Sequence, residues 1–331
     1  MSDKNITATA RVLKGVGGLF TVLCEPGDKL TEGRKLTVRA RGSLRSGGKL
    51  LIGDRVKIEL DGGLLSKDGT GFDVSDDKSG VSGAAITDIL ERKNTFIRPP
   101  MANLDMLFIV VSSARPDPST PVTDKLISVC EYYSVEPVIV IGKSELDPVV
   151  ADEMKLIYTS AGYNTFVLSC AEGTGICEFR EYLKRSACGM LSAFAGASGA
   201  GKTTLMNSIF PDLRLISGEV SRKNGRGKNT TRAVEIFDVS IDGFPVLIAD
   251  TPGFTSIDFE NFDFLPFEAL PDTMREFRDY YADCRWPDCS HTKEKDCGIA
   301  IAVREGKIAQ SRHENYISMY EILKNKNRWD S

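Results

Sequence analysis

The sequence predicts an α/β chain in three parts: a small β-barrel, a parallel sheet with helices on both faces, and a short helical segment gathered around cysteines and a histidine. Three observations predict it. Residues 1 to 93 break into short alternating stretches separated by Gly, Asp and Ser clusters. From Leu104 the chain alternates apolar strand runs with helix-length segments, the pattern of a parallel sheet covered on both sides. Near the end, three cysteines and a histidine crowd between Cys284 and Cys297.

A chain of 331 residues has room for two or three domains, and the changes of pattern put their boundaries at 1–93, 94–259 and 260–331. No run reaches the roughly 18 apolar residues of a membrane span. The opening MSDKNITATA lacks the basic-then-apolar pattern of an export signal. The expectation is a soluble, cytoplasmic, monomeric protein with no membrane partner. Of eight cysteines, Cys24, Cys130, Cys170, Cys177 and Cys188 stand singly, which does not resemble a secreted disulfide framework. The net charge of −4 rules out a global basic field, yet Lys and Arg concentrate between Arg34 and Lys57 and between Arg214 and Arg232, as local polyanion contacts require.

In the first part, Gly18–Val22, Leu36–Ala40, Leu50–Leu60 and Ala85–Leu90 read as strands. About five short strands in this length fit an OB-like barrel, and a generic small barrel fits the pattern equally well. Arg39, Arg41 and Arg45 surround a Gly-Ser turn and are the candidate RNA-phosphate contacts. With only Phe20 and Phe72 as aromatics, recognition through backbone and shape is expected rather than base reading.

In the second part, strand runs Leu104–Val111, Pro137–Ile141 and Thr165–Leu168 alternate with helical runs Val122–Ser134, Val149–Ala161 and Ile176–Lys184. The stretch Leu191–Ile209 then joins an apolar strand to Gly196-x4-Gly201-Lys202-Thr203 and an amphipathic helix. This is a phosphate-binding loop in its strand–loop–helix setting. Gly196, Ala197, Ser198, Gly199, Ala200 and Gly201 present backbone N–H groups to phosphate oxygens, and the helix start adds Thr204 and a partial positive charge. Lys202 reaches the β- and γ-phosphates, and Thr203 is a Mg²⁺ ligand candidate.

Two strand runs follow, Val234–Val239 and Phe244–Ile248, the second leading into Asp250-Thr-Pro-Gly253. An Asp at a strand end is the second Mg²⁺ candidate, and the Gly253 N–H is placed for a γ-phosphate. Between them, the polar loop Gly225–Arg232 reads as a first switch, in which Thr230 or Thr231 completes the Mg²⁺ shell. Elements for recognising a base are not found after Gly253. Candidates lie earlier, Gly142-Lys143-Ser144-Glu145 at one strand end and Ser169-Cys170-Ala171 at the next, so the nucleotide domain reads as circularly permuted. All these loops still reach the carboxyl edge of one sheet, where open α/β folds bind ligands.

The last part carries Cys284-x4-Cys289-x-His291-x5-Cys297. Three thiolates and an imidazole complete a tetrahedral Zn²⁺ shell with no open position, so the site reads as structural. Helices are expected at Pro271–Tyr281, Gly298–Glu305 and His313–Leu323, with His313 outside the ligand set.

The phrases Arg41-Gly-Ser-Leu-Arg45, Gly53-Asp-Arg-Val56, Arg92-Lys-Asn94, Ala102-Asn-Leu-Asp105 and Ser198-Gly-Ala-Gly-Lys202 resemble those of the ribosome small-subunit-dependent GTPase A family of bacteria, over nearly the whole chain. The resemblance implies GTP hydrolysis to GDP and phosphate, stimulated by the small ribosomal subunit and its rRNA during late assembly, with Mg²⁺ and Zn²⁺ as cofactors. Two positions depart from the family. Its Asn-Lys-x-Asp base motif is Gly142-Lys143-Ser144-Glu145 here, which keeps the lysine and a carboxylate but loses the side-chain amide. Asn229 stands where the family often has a histidine, and an amide cannot take a proton. Phe254, directly after Gly253, cannot orient water as glutamine does in Ras-like proteins, so weak hydrolysis alone and stimulation by a partner are expected. Two other readings stay open: a nucleotide-gated rRNA-binding assembly factor with little hydrolysis, and a P-loop ATPase or kinase with relaxed base selection.

Overall fold

The computed structural model describes residues 6–27, 31–42, 44, 48–60, 84–213, 234–250 and 264–327. Five strands, β1 (Ile6–Val16), β2 (Leu19–Cys24), β3 (Lys35–Ala40), β4 (Arg55–Leu60) and β5 (Ala84–Ile89), close a barrel in the order β1-β2-β3-β5-β4. The β3–β5 pair is parallel; the β1–β2, β2–β3, β4–β5 and β1–β4 pairs are antiparallel. Alternation sends Val12, Val22, Val38, Val56, Ile58 and Ile86 inward, all fully buried. The first strand is absent from the sequence reading because its inward residues begin with Ala8 and Ala10, too small to mark an apolar stripe. The expected Leu50–Leu60 strand is shorter, starting at Arg55. Gly53 turns the chain at φ 89°, and the Asp54 carboxylate accepts from the Leu51 N–H at 2.7 Å.

Three of the family-like phrases meet at one latch. Asp54, fully buried, receives Arg92 through Nε and Nη2 at 2.6 and 2.9 Å. Asn94 and Leu104 exchange two hydrogen bonds, at 2.8 and 3.0 Å. Asn103, held at φ 57°, donates to the Gly53 carbonyl and accepts from the Lys93 N–H. These residues stitch the end of the barrel segment to the short hairpin β6 (Thr95–Phe96) and β7 (Met101–Ala102). Their role is architectural.

The large sheet contains β8 (Met106–Ser112), β9 (Glu136–Gly142), β10 (Asn164–Val167), β11 (Leu191–Ala195), β12 (Glu235–Ile241) and β13 (Phe244–Asp250), in the order β10-β9-β8-β11-β13-β12. The first four run parallel. Residues of β8 and β11 are buried throughout, as expected of strands covered on both faces. Between them run α1 (Thr120–Tyr132), α2 (Pro148–Ser160) and α3 (Ile176–Ser186), and β11 is followed by α4 (Lys202–Ile209). One core cluster joins Phe108, Phe179 and Phe194 to Leu205 and Met206 of α4.

The parallel sheet ends at its β12 edge in a hairpin. Asp242 and Gly243 both take positive φ, 51° and 87°, the two-residue hairpin turn that Asp-Gly favours, so β12 and β13 are antiparallel.

After residue 264 the expected helix Pro271–Tyr281 is replaced by two 3₁₀ segments, Pro271–Thr273 and Arg275–Asp283. Met274 between them is extended, the Thr273, Met274 and Phe277 N–H groups each donate to the carbonyl three residues back, and Leu270, Met274 and Phe277 are fully buried. Two α-helices close the chain, α5 (Gly298–Arg304) and α6 (Gln310–Asn327). Arg312, Tyr316, Met319 and Leu323 form the buried face of α6.

Candidate nucleotide site and metal centre

The carboxyl ends of β8, β9, β10 and β11 bring the sequence-predicted loops together. Gly196 leaves β11 at φ 135°, and a Cβ there would lie 2.0 Å from the Val110 carbonyl oxygen, so only glycine fits. Gly199 and Gly201 also take positive φ, and α4 begins at Lys202. The loop curls over Lys202, whose ammonium donates to the carbonyls of Gly196 and Ala197 at 2.7 and 2.8 Å. Burial lowers the pKa of this lysine, and phosphate oxygens beside it would reverse that direction.

The predicted base motif sits beside the loop. Lys143, at φ 57°, donates from Nζ to the Gly199 carbonyl at 2.8 Å and to the Arg115 carbonyl. Ser113 anchors the same turn, its hydroxyl donating to the Lys143 carbonyl and its N–H to that of Gly142. Ser144 N–H reaches the Leu168 carbonyl, tying in the neighbouring loop. In that loop Ser169 is fully buried and accepts from the Glu172 N–H. The resulting cavity of about 270 Å³ is lined by Gly142, Lys143, Glu145, Cys170, Ala171, Ala200, Gly201 and Thr204. Glu145 lines it, and one of its carboxylate oxygens, Oε2, is buried without a hydrogen-bond partner among the described residues. Such an acceptor calls for a ligand donor. Gly142 is not in the positive-φ region, and a Cβ would lie 3.5 Å from the Ala200 carbonyl oxygen, an ordinary contact.

Of the predicted residues, the structure thus gathers Gly142, Lys143, Glu145, Cys170, Ala171, Ala200, Gly201 and Thr204 around one cavity, while Ser144, Ser169, Gly196 to Gly199, Lys202 and Thr203 are not among its lining. Asp250 ends β13 at the same sheet, its side chain outside the described atoms; Thr230, Thr231 and Gly253 lie outside the described residues. Missed by the sequence reading is the 113–119 loop, with Ser113 and Arg115 in contact with Lys143 and Pro116 beside Gly199. Its signal was positional: it follows β8 at the ligand-binding edge.

On the barrel, Arg39 is exposed on β3, and Arg41 pairs with Glu59 on β4. Arg45 lies outside the described residues.

The ligand atoms of Cys284, Cys289, His291 and Cys297 all lie within 4.8 Å of one another. His291 Nδ1 stands 3.6 Å from Cys284 Sγ and 3.5 Å from Cys297 Sγ. Zn–S and Zn–N bonds of about 2.3 and 2.0 Å at a tetrahedral angle put this edge near 3.6 Å. The Gly298 N–H donates to Cys284 Sγ at 3.3 Å, as a thiolate ligand requires. Gly298 is forced here, because a Cβ would lie 2.4 Å from the Tyr280 carbonyl oxygen. Burial pushes the Cys289 thiol up to about 12, raises that of Cys297 and lowers the pKa of His291. Without a cation the site therefore favours neutral ligands. His313 does not join the set; its Nε2 donates to the His291 carbonyl at 2.7 Å. Glu294 braces the loop by accepting from the Ser290 hydroxyl at 2.6 Å and from the Ser290, Thr292 and Lys293 N–H groups; against its burial, the Ser290 hydroxyl first and then backbone N–H groups pull its pKa down to about 2.

Residues 89–260 match the RsgA GTPase family. The small ribosomal subunit biogenesis GTPase RsgA of Caldanaerobacter subterraneus subsp. tengcongensis is 33% identical, over 96% of each chain. Its counterpart in Agathobacter rectalis is 35% identical, over 97% of this chain and 100% of that one. The crystal structure of YjeQ from Thermotoga maritima superposes with a TM-score of 0.73 at 30% identity, covering 96% of this chain and 99% of its own. That of YloQ, a circularly permuted GTPase, gives 0.72 at 26% identity, covering 97% and 96%. A barrel leading into a parallel sheet with the base motif ahead of the phosphate loop, matched in sequence and structure over nearly the full length, identifies the chain as a member of the RsgA GTPase family.

Proposed function

We propose that this chain hydrolyses GTP to GDP and phosphate during late maturation of the small ribosomal subunit, and that the subunit stimulates it. The observation that supports this reading is a cavity lined by Glu145 and Lys143 beside the phosphate loop, with one Glu145 carboxylate oxygen left without a hydrogen-bond partner among the described residues. A guanine edge offers N1–H and N2–H donors to such an acceptor. Lys143 lies along the base, and backbone groups of Ser169, Cys170 and Ala171 close the far side.

The triphosphate replaces the Gly196 and Ala197 carbonyls as partner of Lys202, while the N–H groups of residues 196–204 hold the β- and γ-phosphates. Thr203, Asp250 and Thr230 or Thr231 would hold Mg²⁺, which would supply neutralisation of the phosphate charge. Gly253 N–H senses the γ-phosphate. Phe254 offers no group to orient the attacking water, so the bound subunit completes the site. Zn²⁺ in the Cys284, Cys289, His291 and Cys297 shell supplies folding energy to a segment too small for its own core.

In this reading the parts are an OB-like barrel over 1–93, the permuted GTPase domain over 94–259 and the zinc-stapled domain over 260–331. Arg39, Arg41 and Arg45 contact rRNA phosphates, Arg41 by exchanging Glu59 for phosphate. The protein acts in the cytoplasm as a monomer that attaches with GTP and leaves after hydrolysis.

The test is phosphate release from GTP and from ATP, each with and without purified small subunits. Stimulation confined to GTP is expected. Equal stimulation with ATP would show that the Gly142-to-Glu145 motif no longer selects guanine, and no turnover with nucleotide bound would replace the enzyme by a nucleotide-gated assembly factor.

A further inference from the structure

The largest fully buried side chain among the described residues is a charged one, and it lies outside the nucleotide cavity. Arg312, 1% exposed, donates from Nη1 to Asp124 Oδ1 at 2.7 Å and from Nε and Nη2 to Glu276 at 2.7 and 3.1 Å. Asp124, fully buried on α1, uses its second oxygen to accept from Asn315 Nδ2 at 2.6 Å. Around them, the rings of Tyr158 and Tyr163 lie 5.8 and 5.4 Å from the guanidinium. Replacing such a cluster by apolar residues is often neutral or stabilising, so its presence calls for a reason beyond stability.

The two elements it joins supply one. At the start of α1, the Thr123 N–H and hydroxyl bond the Ser119 carbonyl, fixing the helix to the 113–119 loop. That loop accepts Lys143 at the Arg115 carbonyl and rests Pro116 against Gly199, where a Cβ would meet its Cδ at 3.6 Å. At the other end, α6 carries His313 and Tyr316, which donate to the His291 and Ser290 carbonyls, both at 2.7 Å. A continuous line of directional contacts therefore runs from the phosphate loop to the Cys/His loop, and Asp124 with Arg312 is its joint.

We propose that Asp124 and Arg312 are a positioning pair that couples occupancy of the base cavity to the order of α6 and the 284–297 loop. A nucleotide that fixes Lys143 and Gly199 fixes the 113–119 loop and the first turns of α1. Asp124 then holds Arg312 and Asn315 in one arrangement, and α6 holds the carbonyls of residues 290 and 291. The coupling works by rigidification, with no displacement needed. By reciprocity, whatever grips the Cys/His loop tightens nucleotide binding by the same factor. The inference rests on the nucleotide reading of the cavity.

The experiment is amide hydrogen exchange of the full-length protein with and without N-methylanthraniloyl-GDP, whose fluorescence reports occupancy in the same sample. In the wild-type chain, saturating nucleotide is expected to slow exchange in α6 and residues 284–297 by about fivefold, the lower end of ordinary allosteric coupling. In Asp124→Asn the effect at those segments disappears while α4 and the 142–145 turn, which line the cavity, are still protected. Asn315→Ala, at a half-buried position, gives the same result and decides the matter should Asp124→Asn fail to fold. Equal protection of 284–297 in wild type and variants, or none in wild type with nucleotide bound, overturns the coupling. Failure of the wild-type chain to bind the fluorescent nucleotide overturns the reading of the cavity itself.

Discussion

The Lys143 ammonium donates to the Gly199 carbonyl at 2.8 Å, so the end of β9 and the phosphate loop form one hydrogen-bonded unit. Ser113 and Arg115 hold that unit from a third side. The base and phosphate halves of the site are thereby set at a fixed distance, which lowers the ordering that binding must supply.

Lys143→Met tests this. Methionine keeps the apolar stem and removes the charged donor, and hydrogen bonds to charged groups contribute about 1.5–3 kcal/mol. Affinity for GDP is expected to fall about tenfold or more, while the melting temperature moves little because the ammonium's two bonds lie at the exposed edge of the site. Titration with a fluorescent GDP analogue and a thermal melt of the same variant separate the two effects.

Gly142→Asn is expected to tighten guanine nucleotide binding. The backbone there is compatible with a side chain, and a Cβ has ordinary contact distance to the Ala200 carbonyl oxygen, within reach of an asparagine amide. One new neutral hydrogen bond between β9 and the phosphate loop contributes about 0.5–1.5 kcal/mol, or roughly two- to tenfold in affinity. GDP and ADP titrated against both proteins give the answer. Unchanged GDP affinity would mean that the amide finds no partner and that Lys143 alone ties β9 to the loop.

How much of this was legible in the sequence depends on how local each signal is. The phosphate loop could be read because glycines, Lys202 and the flanking strand and helix are contiguous. The Cys/His cluster could be read because four ligands, three cysteines and a histidine, fall within one short stretch. The first barrel strand hid behind alanines, and the 3₁₀ segments hid behind an apolar spacing that suits an α-helix equally well. The Asp54, Asn94 and Asn103 latch was visible only as family-like phrases, since its bonds span 10 to 50 positions. Arg312 and Asp124 are 188 positions apart, and an arginine amid Gln, Ser and His reads as a solvated helix face. Pairings made by tertiary approach leave no periodicity.

Arg312→Met is expected to destabilise the fold by about 3–5 kcal/mol at neutral pH, because it leaves a buried carboxylate without its counter-charge. The loss should depend on pH. Burial already raises the Asp124 pKa, and Arg312 is the main group that opposes the rise, so its removal sends the pKa higher still. A carboxyl whose folded-state pKa is raised favours folding most when protonated, and that contribution is lost as pH rises through the folded-state value. The stability gap between wild type and variant should therefore be narrow near pH 5 and wide near pH 8. Urea unfolding of both proteins across this range measures it, and a constant gap would show that the variant loses packing rather than a counter-charge.

Zinc uptake should be visible as protons. Burial keeps the Cys289 and Cys297 thiols protonated at neutral pH and His291 neutral, and all three sulfurs ligate as thiolates. Adding Zn²⁺ to metal-stripped protein at pH 7 in weak buffer is expected to release at least two protons per ion, one each from Cys289 and Cys297 and none from the histidine. The Gly298 N–H and the His313 contact to the His291 carbonyl hold the loop in shape for this exchange. Cys289→Ser removes a thiolate from the shell, so it should lower both the proton count and the affinity. An indicator-dye titration reads the count directly. Release of a single proton would mean that the thiols are already ionised in the apo protein, and that the polar contacts of the loop outweigh its burial.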